Sequence, residues 1–256
     1  MDSTLKAQCR HEHKKGVIYY NLKKYRNAIT IFAELVQYKY APAMYYVAMC
    51  YRDGTGLAQN STLAMKFFIE AAKNGDAAAQ YDLGVMLEEG KMIERDTIEA
   101  HAWFRRASLQ NEPRAMVEMA RRYKNGYMVA QDVAKSELLI RDAAQLQHPE
   151  GQYAYGMLQI EKGKEGLVYI KAAAEQGLEA AMLYMLEYEH EKGNFKTAYG
   201  YARSLSLKGN SHGTKRMADY YYEGNGVGRD KSLAKDLYRE AANAGNEEAA
   251  KKLKEL

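Results

Sequence analysis

The glycine-rich segment GNGVGRDKS at 224–232 comes closest to a ligand-binding motif, because glycine turns before a helix can present N–H groups to a phosphate. The segment lacks the Gly-Lys-Ser/Thr ending of a phosphate-binding loop, and no predicted strand precedes it. The similar DGTG at 53–56 occupies an equivalent place in the chain. We therefore interpret both segments as loops between helices.

The histidine pair His11 and His13 flanks Glu12 and is the second place where side chains could do chemistry, in this case metal binding. No cysteine or further carboxylate stands at ligand spacing, so we expect both imidazoles to be solvated. Cys9 and Cys50 are too few for a disulfide framework, and we expect two reduced thiols, with a bridge between them as the alternative.

Other catalytic signatures do not occur: the sequence contains no Gly-x-Ser-x-Gly elbow, no HExxH helix and no Cys-x-x-Cys pair. We expect no enzymatic activity, no cofactor and no metal site. The elements that must position any functional residue come from a repeat.

Six similar five-residue blocks recur along the chain, and each ends in glycine or an amide residue. Their intervals are 36, 36, 30, 32 and 36 residues. Periods of this length are typical of a solenoid, in which each unit buries its apolar face only by stacking on its neighbours. The blocks lie at 71–75, 107–111, 143–147, 173–177, 205–209 and 241–245.

Each repeat reads as two amphipathic helices with apolar residues three and four positions apart. The first helix carries two small residues five positions apart that allow close packing; Leu186 is the one exception at the second position. The second helix carries a large apolar pair opposite them. The predicted first-helix starts are Ala43, Ala79, Ala115, Gly151, Ala181, Gly213 and Ala249.

Residues typical of helix ends recur at equivalent positions of the repeats. We expect N-caps eleven residues before the block starts in five of the six repeats, and a left-handed glycine six residues before four of these caps. Pro42, Pro113 and Pro149 fall one or two residues before a predicted first helix. The predicted caps are Asn60, Asp96, Asp132, Asn194 and Asp230, and the glycines are Gly54, Gly90, Gly126 and Gly224.

We predict a single all-α domain over 1–256. It begins with a helical hairpin at 14–42, continues with six repeats at 43–248 and ends in a capping helix at 249–256.

Composition narrows the function classes. Hydrophobic residues make up 47% and charged residues 27%, and the 37 Lys and Arg nearly balance the 33 Asp and Glu. This even mixture argues against nucleic-acid binding. No apolar run approaches the ~20 residues of a membrane-spanning helix. The first residues lack the apolar core of a secretory signal, so we expect a cytoplasmic protein, or a periplasmic one if a signal has been removed.

The chain resembles the Sel-one-like repeat family, a relative of tetratricopeptide repeats, in the segments 43–77, 79–90 and 221–249. The units at 151–177 and 181–209 depart from the family pattern by their shortened loops. The resemblance implies a right-handed α-solenoid superhelix of antiparallel helix pairs, with the first helices lining the concave face. Proteins similar to this are adaptors and scaffolds, often bacterial, and some are immunity proteins against secreted toxins.

We therefore predict a non-catalytic scaffold or adaptor that binds a partner protein on the concave face, as a monomer or weak dimer. The alternatives are an immunity protein that neutralises a secreted bacterial toxin, and a regulatory protein or enzyme that depends on a small ligand. The predicted contact residues are Tyr45, Met49, Arg52, Tyr81, Val85, Glu88, Arg114, Arg121, Lys124, Tyr153, Met157, Glu187 and His190. Arg114, Arg121, Arg122 and Lys124 form a predicted basic patch beside the acidic Glu88 and Glu89, which either orients a charged partner or is simply a solvated face.

Overall fold

The structure is a computed structural model that describes residues 2–256. Within this range the chain forms fifteen α-helices and no strand. It divides into two compact units, unit 1 (Met1–Ala143) and unit 2 (Ala144–Leu256). The helices are α1 (Ser3–Asn21), α2 (Tyr25–Gln37), α3 (Ala41–Asp53), α4 (Ser61–Lys73), α5 (Ala77–Glu89), α6 (Thr97–Leu109), α7 (Pro113–Asn125), α8 (Val133–Gln145), α9 (Pro149–Glu161), α10 (Leu167–Glu175), α11 (Glu179–Glu191), α12 (Phe195–Leu207), α13 (Ser211–Glu223), α14 (Lys231–Asn243) and α15 (Glu247–Lys254).

Consecutive helices pack as hairpins, as expected of an α-solenoid built from helix pairs. In unit 1 the closest pairs are α1 with α2, α3 with α4, and α5 with α6. In unit 2, α9 packs with α10, α11 with α12, and α13 with α14, and α12 packs equally closely against α13 of the next pair. Most helices have 13 residues, a length of about 20 Å. Isolated helices this short are marginal in water, so the pairing itself stabilises them.

Four of the five predicted N-caps are confirmed. The Asp96 carboxylate accepts hydrogen bonds from the N–H groups of Ile98 and Glu99, and Asn60, Asp132 and Asp230 accept equivalent bonds. Asn194 does not cap α12. Its amide donates to Glu189 instead, because its backbone (ψ 54°) is not in the extended conformation of the other caps.

The predicted glycine positions are also confirmed, since Gly54, Gly90, Gly126 and Gly224 end α3, α5, α7 and α13 with positive φ. The predicted first-helix starts are wrong, since each of these helices begins two residues earlier than expected. The three prolines therefore lie inside the helices and not before them. Pro113 and Pro149 are the first residues of α7 and α9, and Pro42 is the second residue of α3. A proline fits there because the first N–H groups of a helix need no partner.

The ends of the chain differ in extent from the expectation. The N-terminal hairpin is longer, since α1 begins at Ser3 and not near residue 14. The C-terminal helix α15 begins at Glu247 and ends at Lys254.

The core follows the predicted alternation of small and large side chains. A Cβ atom on Gly84 of α5 would lie 2.8 Å from the Phe104 ring of α6. On Gly156 of α9 it would lie 2.6 Å from Ile170 of α10. These helices therefore approach as closely as their backbones allow. Leu186, the exception in the sequence columns, is fully buried.

Candidate protein-binding surface

Hydrogen bonds in unit 1 connect the first helices of three successive repeats. The Tyr45 hydroxyl of α3 donates to the Asp82 carboxylate of α5 at 2.8 Å. Arg114 of α7 donates to the same carboxylate, also at 2.8 Å. The first helices α3, α5 and α7 therefore present these side chains on one surface. We call the surface formed by the first helices of each unit, α3, α5 and α7 in unit 1 and α9, α11 and α13 in unit 2, the first-helix face of that unit.

The unit 1 network brings together three of the predicted contact residues and holds them in place. The Arg114 guanidinium lies 4.4 Å from the centroid of the Tyr81 ring and also donates to Glu112 at 2.7 Å. Burial and the Asp82 carboxylate raise the pKa of Tyr45. Burial works against the charge of Arg114, but Asp82 and Glu112 outweigh it and raise the pKa of Arg114. Both groups keep their normal protonation state at neutral pH.

The predicted basic patch is wrong for Arg122, whose side chain is 0% exposed. Its guanidinium donates to Glu88 and, at 2.8 Å, to Glu118. It also lies 4.9 Å from the centroid of the Phe104 ring. Arg122 is thus an internal ion-pair residue. Glu88, a predicted contact residue, is one of its partners.

The other predicted contact residues of unit 1 are of two kinds. Met49 and Val85 are half-buried and pack against apolar clusters. Arg52 and Arg121 are exposed and pair with Asp53 and Glu118, each at 2.7 Å. Lys124 is also exposed.

In unit 2 the first helices α9 and α11 form an open groove of about 500 Å³. Tyr153 is the predicted contact residue that α9 supplies, and Glu187 is the one that α11 supplies. Met157 lies one turn beyond Tyr153 on α9 and is 36% exposed. The groove is lined by Tyr153, Ala180, Leu183, Tyr184, Glu187, Tyr188 and Glu191.

Leu183, Tyr184 and Tyr188 were not among the predicted contact residues, although their spacing in the sequence places them on one face of α11. Together with Ala180, Glu187 and Glu191 they repeat at three- and four-residue spacing and form one stripe along α11. Tyr153, Tyr184 and Tyr188 also pack at their inner edges against the buried core of unit 2. Within residues 2–256, no hydrogen bond uses the hydroxyl group of any of these three tyrosines.

Glu187 and His190 lie three residues apart on α11 and contact different partners. Glu187 accepts hydrogen bonds from Arg216 and, at 3.0 Å, from His212, both on α13. Burial opposes the charge of Glu187, but these two partners lower the pKa of its carboxyl group. His190 lies 3.1 Å from the Tyr220 hydroxyl and packs against Phe195. It therefore contacts the core and does not line the groove.

His13 corrects the expectation of a solvated histidine pair. Its ring is half-buried and lies 5.4–5.7 Å from the ring centroids of Phe32, Tyr40 and Tyr46. Burial lowers the pKa of His13. His11 is exposed as expected.

Three further expectations concern chemistry and membranes. Cys9 and Cys50 are both free and buried. In the described part of the chain, no group of three or more His, Cys, Asp or Glu residues is placed to hold a metal ion. None of the helices in residues 2–256 has the length and apolar character needed to cross a bilayer.

The family model of the Sel1 repeat matches the sequence in four segments, 41–76, 77–112, 113–148 and 212–246. Together these segments make up more than half of the chain. The chain belongs to the Sel1 repeat family. The stretch 149–211 of this Sel1 repeat protein lies outside the matched segments. It contains α9 to α12 and therefore the groove.

Solved structures support the same fold. A protective antigen with an SLR fold from uropathogenic Escherichia coli strains is 26% identical, with a TM-score of 0.67 over 88% of this chain and 50% of that chain. The present chain thus spans about half the length of that antigen. A Sel1 repeat protein from Oxalobacter formigenes is 23% identical, with a TM-score of 0.72 over 90% of this chain and 99% of that one.

A third similar structure is that of immunity protein Pa5087 from Pseudomonas aeruginosa. It is 19% identical, with a TM-score of 0.55 over 80% of this chain and 81% of that chain. No curated protein matches this chain in sequence.

Proposed function

We propose that this Sel1 repeat protein is a non-catalytic scaffold that binds a partner protein through its first-helix face. The observation that supports this proposal is the unit 2 groove, in which Tyr153, Tyr184 and Tyr188 combine ring surface with hydroxyl groups that make no hydrogen bond within residues 2–256. Tyrosine is enriched at the centres of protein interfaces, since it offers both apolar area and a polar tip. Here the rings are fixed on two helices, which reduces the entropy lost on binding.

The predicted contact residues take two roles in this proposal. Tyr153, Met157, Arg52, Arg121 and Lys124 are accessible enough to contact a partner directly. Residues of the unit 1 network keep the first helices aligned and expose only part of their side chains; they include Tyr45, Tyr81 and Arg114.

Site-specific photocrosslinking tests the location of the interface. A benzoylphenylalanine at Tyr153 or Tyr184 should crosslink to a partner in cells that express the full chain. The matched controls are the same residue at Val168 and Leu207, which are 66% and 80% exposed on the second helices α10 and α12. Crosslinks that arise equally from the control positions, or only from them, would contradict the proposal.

A purified complex then tests the side chains. Tyr153→Ala and Tyr184→Ala should each weaken binding of the crosslinked partner roughly tenfold or more, as hot-spot residues do. Helicity measured by circular dichroism should stay unchanged. Unchanged affinity for both variants would exclude the groove as the interface.

A narrower candidate is an immunity protein whose partner is a secreted bacterial toxin. Its support is the fold shared with immunity protein Pa5087, and the likeness extends to the fold alone. The test is to express the chain with toxin candidates encoded beside its gene. A stoichiometric complex that abolishes the toxin's activity is expected. Binding of the toxin without loss of its activity would exclude the immunity function and would remain consistent with a scaffold.

A further inference from the structure

The unit 2 groove has the chemistry of a site for a positively charged side chain. We propose that it binds an arginine or lysine side chain of the partner protein, held against the rings of Tyr153, Tyr184 and Tyr188 and beside Glu191. The inference rests on the proposed function and names the chemistry of the partner segment.

Other tyrosines of this chain hold cations over their ring faces. Tyr81 has the Arg114 guanidinium 4.4 Å from its centroid, and Tyr123 has the Lys135 ammonium at 4.3 Å. An aromatic face attracts a cation within about 6 Å. Tyr153 and Tyr184 line an open groove, and no lysine or arginine among residues 2–256 is placed over either ring.

Tyr188 shows that the groove rings are accessible to a cation. The ammonium group of Lys192 lies 5.7 Å from its centroid, near the outer limit of the interaction. Lys192 is exposed and stands at the end of α11. One ring of the groove thus already has a cation of this chain near it.

The charges of the two groove helices point to the same occupant. Neither α9 nor α11 contains a lysine or an arginine. Among the described residues that line the groove, Glu187 and Glu191 are the charged ones. The helices carry glutamate at positions 150, 161, 179, 187, 189 and 191.

The two groove glutamates differ in their availability. Glu187 is already neutralised by Arg216 and His212 of α13. Glu191 is exposed, and no salt bridge in the described chain involves it. An acidic partner segment would be repelled here, and a purely apolar one would desolvate the Glu191 carboxylate without compensation. A cationic side chain satisfies both the carboxylate and the rings.

Titration with short capped peptides tests the proposal on the full-length chain. The readout is the NMR signals of isotope-labelled tyrosine rings, assigned with Tyr→Phe variants. The probes are acetyl-Gly-Arg-Gly-amide and the same peptide with citrulline, a neutral analogue of arginine, or with glutamate. The arginine peptide should shift the ring signals of Tyr153, Tyr184 and Tyr188. The citrulline and glutamate peptides should bind at least threefold more weakly.

Variants separate the contributions of charge and ring. Glu191→Gln should weaken binding of the arginine peptide about three- to tenfold. The matched control Glu165→Gln, an identical change at an exposed loop residue of the same unit, should leave affinity unchanged. Tyr184→Leu keeps an apolar side chain but removes the aromatic face, and it should weaken binding more than Tyr184→Phe does.

Equal binding of the arginine and citrulline peptides would overturn the proposal, as would equal effects of Glu191→Gln and Glu165→Gln. Failure of this site is distinguishable from failure of the proposed function. If photocrosslinks form from Tyr153 or Tyr184 while the arginine peptide shifts no ring signal, the scaffold function stands and the cation site is wrong. If neither occurs, both are wrong.

Discussion

A charge that is withdrawn from water must be neutralised inside the protein, and Arg122 illustrates this at the scale of single residues. Its side chain is 0% exposed, while its partners Glu88 and Glu118 are 26% and 17% exposed. Both carboxylates lie on first helices, one on α5 and one on α7. Arg122 therefore connects successive repeats of unit 1 and is not available to a partner protein.

Replacing Arg122 with methionine should destabilise unit 1. Removal of one partner of a buried ion pair costs about 3–5 kcal/mol, and since both carboxylates retain some contact with water we expect about 2 kcal/mol. Arg121→Met is the matched control, because Arg121 pairs with the same Glu118 but is 56% exposed; we expect a loss below about 0.5 kcal/mol. Urea unfolding followed by the fluorescence of Trp103, the single tryptophan, measures both. Equal losses would contradict the assignment.

His13 predicts a pH dependence of stability. Burial lowers the pKa of His13 in the folded state below its unfolded value, so the unfolded chain binds the proton more readily. Its contribution to stability is complete above the unfolded pKa of about 6.5 and is lost as the pH falls below that value. The facing side chains Phe32, Tyr40 and Tyr46 carry no charge in this range.

The measurement is the unfolding free energy at pH 8 and at pH 5. His13→Phe should lose less stability between these values than the natural chain. His11→Phe, the same change at an exposed position of α1, should keep the full loss. An identical pH dependence in all three proteins would exclude His13 as the source.

At the scale of the helix pair, a small side chain on one helix faces a large side chain on the other. Which of the two helices carries the large side chain differs between pairs. Gly84 and Gly156 on first helices stand opposite Phe104 and Ile170 on second helices. In the α11–α12 pair the order is reversed. Leu186 occupies the small position of α11, and Ala202 occupies the large position of α12. Both are fully buried in the core of unit 2.

This reversal predicts a compensating pair of substitutions. Leu186→Ala should cost about 2–5 kcal/mol through a cavity, and Ala202→Ile about 1–3 kcal/mol through overpacking. The double variant restores the small-large order of the other pairs. Its loss of unfolding free energy should be smaller than the sum of the two single losses by about 1 kcal/mol or more. Chemical denaturation of the four proteins measures this coupling. Simple additivity would show that the two side chains do not share one space.

At the scale of the whole molecule, the stability of a repeat protein is approximately a sum of repeat and nearest-neighbour contributions. A substitution should therefore affect the repeats near it most. Trp103 of α6 lies in unit 1, while Leu186 lies in unit 2.

Leu186→Ala should accordingly lower the denaturant midpoint of unfolding measured by circular dichroism. The midpoint measured by Trp103 fluorescence should stay nearly unchanged. Arg122→Met should shift the Trp103 transition. Coincident shifts of both signals in both variants would show that the chain unfolds as one cooperative unit, contrary to the expectation. The single continuous domain over 1–256 and the compartment remain predictions.

The amino-acid sequence by itself determined the helix pairs, their order, four N-caps of second helices and the glycines that end four first helices, whereas each predicted first-helix start was two residues late. These features depend on neighbours in the chain: apolar spacing, cap residues such as Asp96 and the left-handed Gly90 act within one turn or one loop. The prolines did not fix these starts, since a proline is compatible with several positions in a first turn. Asn194 has a capping side chain, yet its backbone conformation in the tight turn prevents it from capping.

Only the tertiary structure decided which charged and aromatic side chains are free. Arg122 and Arg121 are adjacent in the sequence and identical in type, yet one is buried between two carboxylates and the other is exposed. Likewise, Tyr45 donates to Asp82, a residue 37 positions away, whereas the hydroxyl of Tyr184 has no hydrogen-bond partner among residues 2–256. The availability of a side chain depends on residues one repeat away, and the periodicity of a single helix does not contain that information.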